Sequence, residues 1–281
     1  MTIFEAILLG LIQGLTEFLP ISSTAHLTLA GKILGLIDPL HPEDWTAFIA
    51  IIQLGTVAAV LLYFLRDLKK ILVSLLEDFR KNGISIRGEW SHDSRVAFQI
   101  VIGTLPVVII GLAFKKVIEG TFTKELSTMG TSLIVLALIL LWAERVSKRI
   151  KTLEQTTWLD GLIIGIAQAC ALIPGSSRSG TTITAGLFLG LTRDTAARFS
   201  FLLSIPAVVA SGLYELYRAR HHLGDMGVTQ MIVATIVGGV TGYAAIAFLL
   251  RYLRQHSTYL FIAYRLVIGI IIWMLILGGM Q

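Results

Sequence analysis

Two short polar segments in an otherwise apolar chain carry the residue types that chemistry on a phosphate requires. Residues 13–26 read Gln-Gly-Leu-Thr-Glu-Phe-Leu-Pro-Ile-Ser-Ser-Thr-Ala-His, and residues 174–182 read Pro-Gly-Ser-Ser-Arg-Ser-Gly-Thr-Thr. Together they offer a carboxylate, an imidazole, a guanidinium and several hydroxyls. An ionisable side chain within a membrane costs roughly 2.5–3.5 kcal/mol on insertion scales, so such a cluster indicates a functional site.

The spacing within the segments indicates what the side chains would do. Gln13 and Glu17 are four residues apart and share one face of a helix that ends at the following proline. Glu17 would lie at the negative end of that helix dipole and needs a cation, either Arg178 or a metal. His26 follows Ser23 by three residues on the same helical face, where it would serve as a base, an acid or a nucleophile.

Hydroxyl residues stand where the second helix of each segment is expected to begin. They are Ser22, Ser23 and Thr24 in the first segment and Ser176, Ser177 and Ser179 in the second. Such residues are favoured at helix N-caps, and helix N-termini bind phosphate through their free N–H groups. Together with the Arg178 guanidinium, whose paired N–H groups bind phosphate oxygens, the two segments predict an anion site suited to phosphate.

Each of these residues also has a purely structural interpretation. The hydroxyl residues would be simple helix caps, and Gln13 would satisfy backbone groups. Glu17 and Arg178 would form a structural ion pair, and His26 would be a hydrogen-bonded core histidine. Taken one residue at a time, the sequence leaves both kinds of interpretation open.

The composition indicates that a membrane surrounds the elements that position these residues. Of 281 residues, 55% are hydrophobic and only 15% are charged, and the mean hydropathy is +0.79. A water-soluble domain carries about 25% charged residues, and disordered chains have low apolar content. The net charge is +5, but the basic residues fall in short runs between apolar stretches, which argues against a nucleic-acid partner.

Six apolar stretches are long enough to cross a bilayer as helices. They cover residues 46–65, 96–114, 127–143, 195–217, 226–250 and 257–280. Arg198, Glu215 and Arg265 lie within or beside these stretches and are expected to pack or snorkel. The charged, partly amphipathic segment 66–95 is interpreted as a loop along the lipid headgroups.

Two further regions, residues 3–37 and 159–191, each contain a short helix, a proline break and a second short helix. This pattern predicts a re-entrant hairpin, since irregular backbone at mid-membrane is tolerated only inside protein or beside a water-filled cavity. The predicted fold class is an all-α polytopic integral membrane protein with six transmembrane helices plus two re-entrant helical hairpins.

The two broken regions resemble each other and predict an inverted repeat. Residues 10–13 align with 165–168 at an offset of 155, and residues 20–23 align with 174–177 at an offset of 154. The halves, 1–150 and 155–281, would form one membrane domain. Paired interrupted helices in two such halves point to a binding site near the midplane.

Basic residues between the spans set the expected orientation. With the N-terminus outside, 14 Lys and Arg residues fall in cytoplasmic loops and 5 in external loops, in agreement with the positive-inside rule. Both termini and the mouth of the site are then expected outside. The first segment lacks the features of a cleaved signal peptide, so we expect it to be retained.

The motifs Gln13-x3-Glu17-Phe-Leu-Pro-Ile-Ser-Ser-Thr-x-His26 and Pro174-Gly-Ser-Ser-Arg178-Ser-Gly-x-Thr resemble those of the bacterial undecaprenyl-diphosphate phosphatase family, the bacitracin-resistance type. The resemblance covers essentially the whole chain. It implies an inner-membrane hydrolase that converts undecaprenyl diphosphate to undecaprenyl phosphate and inorganic phosphate. This activity recycles the carrier for peptidoglycan synthesis and confers bacitracin resistance.

The resemblance also implies a cofactor, Mg²⁺ or Ca²⁺, and roles for individual positions. The matching catalytic positions are Glu17, Ser23, His26 and Arg178, the metal positions are Glu17 and Gln13, and the substrate-binding positions are Gln13, Ser22, Thr24, Ser176, Ser177, Ser179 and Thr182. Ser23 is the favoured nucleophile, activated by His26 or Glu17, with attack by His26 or by water as alternatives.

Other functions and partners stay open at this level. The expected partners are a polyprenyl diphosphate lipid and membrane lipids, and a homodimer is one of the oligomeric states left open. The rival function is an inverted-repeat transporter or flippase for phosphate or polyprenyl phosphate. A membrane scaffold would leave the three ionisable residues Glu17, His26 and Arg178 unexplained.

Overall fold

Helices account for the regular secondary structure of the part of the chain that the structure describes. The structure is a computed structural model that describes residues 1–37, 42–83, 89–114, 125–219 and 227–279, with no β-strand among them. Helices α1 to α11 are Ile3–Phe18, Ser23–Ile33, Pro42–Tyr63, Leu65–Asn82, His92–Ala113, Leu126–Val146, Trp158–Ala169, Arg178–Phe188, Arg193–Ala219, Val228–Leu253 and Tyr259–Leu277.

Six of these helices, α3, α5, α6, α9, α10 and α11, are long and apolar enough to cross a membrane. They confirm the six predicted spans, and the chain is an integral membrane protein. Their ends differ from the prediction because caps and polar flanks extend the helices. For example, α5 begins at His92 rather than at residue 96, since the Ser91 hydroxyl accepts a hydrogen bond from the Ser94 N–H.

Some residues used to orient the chain lie outside the described ranges. These are Arg87, Lys115, Lys116, Lys124 and Arg220. The ends of two predicted spans, residues 226 and 280, also lie there. The predicted orientation therefore stays a prediction.

Residues 66–82 of the segment interpreted as a loop along the headgroups belong to helix α4, and residues 84–88 lie outside the described ranges. The position of the segment at the headgroups stays a prediction. Several large apolar side chains of α4, among them Leu72, Leu76 and Phe79, are exposed. The helix ends at Gly83, whose φ of 59° suits glycine. The Asp78 carboxylate accepts hydrogen bonds from the Ser91 N–H at 2.8 Å and the Ser94 hydroxyl at 2.7 Å, which ties α4 to the start of α5.

Both expected helix breaks are present. Helix α1 ends at Phe18 and α2 begins at Ser23, while α7 ends at Ala169 and α8 begins at Arg178 after a 3-10 turn, Cys170–Leu172. The re-entrant course of each pair within a bilayer stays a prediction.

The caps that follow the two breaks have the same unusual backbone. Ser22 caps α2 with φ 75° and ψ 99°, and Ser177 caps α8 with φ 67° and ψ 110°. Positive φ is costly for serine, so these residues are held in place by their surroundings. Their spacing is 155 residues, so the predicted alignment of residues 20–23 with 174–177 is wrong by one position.

Glycines let each broken helix approach a long helix of the other half. A Cβ atom on Gly10 of α1 would lie 2.5 Å from the Ala234 carbonyl oxygen of α10. A Cβ atom on Gly165 of α7 would collide in the same way with the Gly103 carbonyl of α5. Since real Cβ atoms do not come so close, only glycine fits. Each broken helix therefore packs closely against a long helix along one face, while large apolar side chains such as Leu15 of α1 and Ile166 of α7 stay exposed.

The ionisable residues expected to pack or snorkel have different environments. Arg198 donates to the Asp67 carboxylate at 2.6 Å and its guanidinium lies over the Phe64 ring. The side chain of Glu215 lies outside the described part of the structure. Arg265 is 1% exposed, so it packs inside the protein, which is one of the two expected outcomes. Its partners belong to the site described next.

Candidate active site

A cavity of about 240 Å³ lies between the two broken helices. We call it the tip cavity. Its polar lining comprises Gln13, Glu17, Ser22, Ser23, Thr24, Gln53, Gln168, Ser177, Arg178 and Ser211. Its apolar lining comprises Ile49, Val107, Ala171, Leu172, Ile173, Pro174, Gly175, Ala207 and Val208. A space lined by both polar and apolar residues fits an amphiphilic ligand.

The Glu17 carboxylate is the centre of the hydrogen bonds in the polar lining. Its Oε1 accepts a hydrogen bond from Arg178 Nη2 at 2.8 Å, and its Oε2 accepts one from Ser23 Oγ at 2.7 Å and one from Gln13 Nε2 at 3.1 Å. The side chains of Glu17 and Arg178 are only 9% and 16% exposed. The structure thus brings together the acidic and basic residues that the sequence pattern expects to share one pocket.

Several polar atoms of the cavity wall are buried without a hydrogen-bond partner in the described part of the chain. They are Gln13 Oε1, Arg178 Nη1 and both side-chain polar atoms of Gln168. Leaving such an atom unpaired costs about 1–3 kcal/mol, more for a charged group. Because such atoms are rare in native proteins, their grouping around one cavity indicates a polar ligand that both donates and accepts.

The N-termini of α2 and α8 both open at the tip cavity. The Ser22 hydroxyl accepts from the Ala25 N–H at 3.4 Å, and the Ser177 hydroxyl accepts from the Gly180 N–H at 3.2 Å. The other amides of each first turn have no acceptor within the helix. They provide partial positive charge where a phosphate group would bind.

Three predicted substrate-binding residues do not line the cavity. Thr182 is fully buried and donates to the Arg178 carbonyl at 2.7 Å, while Ser179 donates to the Leu19 carbonyl at 3.0 Å. Ser176 is also buried, and its carbonyl accepts from Arg265. In this structure these residues are bonded to other parts of the protein, and their predicted role in substrate binding stays a prediction.

His26 is likewise absent from the cavity wall. Its Nδ1 lies 2.7 Å from the Ser22 carbonyl, and its Nε2 lies 2.8 Å from the Tyr264 hydroxyl. A carbonyl only accepts, so Nδ1 carries a proton, and Nε2 accepts from the Tyr264 hydroxyl when the ring is neutral. The imidazole thereby connects α2 with α11, and it does not reach Glu17 in this structure.

Arg265 is a functional candidate that sequence reasoning missed. It donates to the carbonyl oxygens of Pro20 in the first tip, of Gly175 and Ser176 in the second, and of Ser132 and Leu133 in α6. One buried guanidinium therefore joins both tips to a long helix. The signal was present, since Arg265 is the single charge of an apolar span.

Gln53 and Gln168 were also missed. The Gln53 amide of α3 donates to Glu17 Oε1 at 3.5 Å, and Gln168 of α7 also lines the cavity. Gln168 could have been found, because it aligns with Gln13 at the repeat offset. Gln53 had no comparable signal beyond an amide inside an apolar span.

Comparison with known proteins identifies the family. A family model described as "Bacitracin resistance protein BacA" matches residues 6–271, a range that contains both tips. The chain belongs to this family. A relative from Syntrophobacter fumaroxidans is 54% identical over 99% of either chain, and one from Chloroherpeton thalassium is 51% identical over 100% of this chain and 99% of its own. A third, from Chlorobium phaeobacteroides, is 50% identical over 99% of both chains. All three BacA-family relatives are named undecaprenyl-diphosphatase.

Proposed function

We propose that the tip cavity hydrolyses undecaprenyl diphosphate to undecaprenyl phosphate and inorganic phosphate, and so recycles the lipid carrier of cell-wall synthesis. The observation that carries the proposal is the Glu17 carboxylate, which accepts hydrogen bonds from both Arg178 and the Ser23 hydroxyl. This arrangement combines an activated hydroxyl with a cationic anion-binding group. The names of the relatives support hydrolysis rather than transport.

In the proposed first step, Ser23 Oγ attacks the terminal phosphorus of the diphosphate. Glu17 accepts the hydroxyl proton across the 2.7 Å hydrogen bond. The bond from phosphorus to the bridging oxygen breaks, and undecaprenyl phosphate leaves. Glu17 then passes this proton to the departing undecaprenyl phosphate. In the second step, water attacks the phosphoserine and gives a proton to Glu17, which returns it to Ser23 Oγ as the bond from phosphorus to Oγ breaks and inorganic phosphate leaves.

Arg178 and the helix amides do the electrostatic work in this proposal. Phosphoryl transfer needs mainly positioning and charge stabilisation from the protein. The unpaired Arg178 Nη1 supplies a donor for a phosphate oxygen, while Nη2 stays on Glu17. The first-turn amides of α2 and α8 supply further donors.

Two alternatives for the nucleophile and base stay open to experiment. His26 is held by the Ser22 carbonyl and the Tyr264 hydroxyl, so its participation would need a change of partners. We therefore favour Glu17 as the base. Rapid quenching with labelled substrate distinguishes the cases, because a phosphoserine maps to Ser23, a phosphohistidine maps to His26, and direct attack by water gives neither.

A divalent cation, Mg²⁺ or Ca²⁺, is part of the proposal. Both ions prefer oxygen ligands. The carboxylate of Glu17 and the buried, unpartnered Oε1 of Gln13 fit such an ion. Since no group of three or more His, Cys, Asp or Glu side chains occurs in the described ranges, substrate and water oxygens would complete its coordination. When bound, the ion would neutralise charge on the diphosphate.

We also propose that the protein lies in the bacterial inner membrane as an inverted repeat, with its termini and the cavity mouth outside. The excess of basic residues in the predicted cytoplasmic loops supports this orientation. The matched backbone of Ser22 and Ser177, and the matched approach of Gly10 and Gly165 to long helices, support the repeat. Cysteine labelling from either side of the membrane tests the orientation.

Phosphate release by the purified protein tests the proposed activity. The protein in detergent is incubated with a prenyl diphosphate and Mg²⁺ or Ca²⁺. Wild-type protein is expected to release phosphate, and Glu17→Gln is expected to release none. A transporter would release no phosphate, because transport breaks no phosphorus–oxygen bond and detergent removes the compartments between which it would move a solute.

A further inference from the structure

Gln168 has an environment unlike that of the other buried glutamines in the described ranges. It is 1% exposed, yet neither its Nε2 nor its Oε1 has a hydrogen-bond partner there. By contrast, Gln99 of α5 is also buried, and both its amide atoms are bonded to Thr156 at 3.0 Å. Gln13 donates to Glu17. An amide with both functions unpaired is costly, and in a cavity wall it points to a ligand.

The broken helices explain why this amide is free. Gln168 occupies the position in α7 that Gln13 occupies in α1, 155 residues earlier. One helical turn later, α1 has Glu17, whose carboxylate accepts the Gln13 amide. The corresponding residue after α7 is Leu172, which has no polar atom. Gln168 is thus left without a partner on its own helix, in a side chain that belongs to the lining of the tip cavity.

We infer that Gln168 is a further substrate-binding residue, whose side-chain Nε2 donates to a non-bridging oxygen of the bound diphosphate. The inference rests on the proposed hydrolysis of a lipid diphosphate. Phosphate oxygens at neutral pH are acceptors, so the amide nitrogen is the group that binds them. The Oε1 atom accepts from water held in the same cavity. Gln168 thereby extends the anion site from Arg178 to the α7 side of the cavity.

Replacement by methionine separates substrate binding from a structural role. Gln168→Met keeps the length and volume of the side chain and removes both polar atoms. A hydrogen bond to a charged group is lost, so kcat/KM for farnesyl diphosphate is expected to fall about 10- to 100-fold. The melting temperature in detergent is expected to stay level or rise, because the amide has no protein partner to lose.

Gln99→Met is the matched control. It removes an equally buried amide that is fully bonded to Thr156 and does not line the cavity. Here the melting temperature is expected to fall while kcat/KM stays within about threefold of the wild-type value, since a lost buried hydrogen bond acts on stability. The two variants should therefore show opposite patterns.

A second variant tests the donor itself. Gln168→Glu keeps the acceptor, removes the N–H donor and adds negative charge, so it is expected to lower kcat/KM at least as much as Gln168→Met. Unchanged kcat/KM in both variants overturns the inference, and so does a melting temperature of Gln168→Met that falls as far as in the Gln99→Met control. If wild-type protein releases no phosphate, the proposed function fails instead, which keeps the two failures distinct.

Discussion

Replacement of Arg178 tests how the tip cavity stabilises phosphate. Arg178→Met removes the hydrogen bond of 2.8 Å that Nη2 donates to Glu17. It also removes the buried Nη1, which has no protein partner and would donate to the phosphate. Two charge-assisted hydrogen bonds of about 1.5–3 kcal/mol each would no longer reach the substrate or orient Glu17. At 1.4 kcal/mol per tenfold change, kcat/KM should fall by about 10²- to 10⁴-fold. Arg178→Lys keeps the charge but loses the paired donors of the planar guanidinium, so its kcat/KM should fall about 10- to 100-fold.

Stability should change much less than activity in this variant. Glu17 keeps hydrogen bonds from Ser23 and Gln13 after the arginine is removed, so it is not left unpaired. We expect a loss of about 1–3 kcal/mol, below the 3–5 kcal/mol typical of a fully orphaned buried charge. The assay measures phosphate release from farnesyl diphosphate per folded protein, with folding checked by size exclusion and thermal unfolding in detergent.

Arg198→Met is the matched control, because Arg198 also pairs with a carboxylate, Asp67, but does not line the tip cavity. This partly exposed pair should contribute no more than about 1 kcal/mol, and hydrolysis should stay at the wild-type level. The reasoning is refuted if Arg178→Met hydrolyses substrate within about threefold of the wild-type kcat/KM, or if both arginine variants lose activity equally.

Three further predictions concern the elements that position the cavity. Arg265→Met should leave the carbonyls of both tips without their shared donor and lower both the melting temperature and phosphate release, and Arg265→Lys should restore part of each. Ser22→Ala should destabilise the protein by about 1 kcal/mol through loss of the cap, whereas Ser22→Gly should be neutral or stabilising because glycine relieves the positive φ, as thermal unfolding would measure. Hydrogen bonds from Ser91 and Ser94 lower the pKa of Asp78 from its ordinary value. The Asp78 carboxylate therefore stabilises the fold at a pH above the ordinary aspartate pKa, and this stability is lost as the pH falls from there through the lowered pKa. Unfolding measured against pH should therefore show an acid loss of stability that is smaller in Asp78→Asn, and equal profiles would contradict this account.

The sequence was sufficient for the parts of the fold that depend on composition and local pattern. The six spans follow from runs of apolar residues whose length matches a bilayer. The breaks near Pro20 and Pro174 could be predicted because proline has no backbone N–H and its ring clashes with the preceding helical turn. The meeting of Glu17 with Arg178 could also be expected, because a carboxylate within a membrane needs a cation.

What the sequence did not reveal depends on packing between distant elements. The repeat alignment changes by one residue because Ser22 and Ser177 share the same unusual backbone conformation. The shared Pro-x-Ser-Ser pattern instead pairs Ser22 with Ser176. His26 shares a helical face with Ser23 in a simple projection, but its hydrogen bond to Tyr264 of α11 turns it away from the cavity. Likewise, the hydrogen bonding of Gln168 differs from that of Gln13 because Leu172 follows it by one helical turn, whereas Glu17 follows Gln13.

Phosphate release from a prenyl diphosphate, compared between purified wild-type protein and Glu17→Gln, tests the central claim most directly. The substitution preserves the size of the side chain and removes the charge that accepts hydrogen bonds from Ser23 and Arg178. We predict sustained phosphate release by the wild-type protein and none above background by the folded variant. Equal release by the two proteins, or no release by the wild-type protein, would contradict a hydrolytic site at the tip cavity.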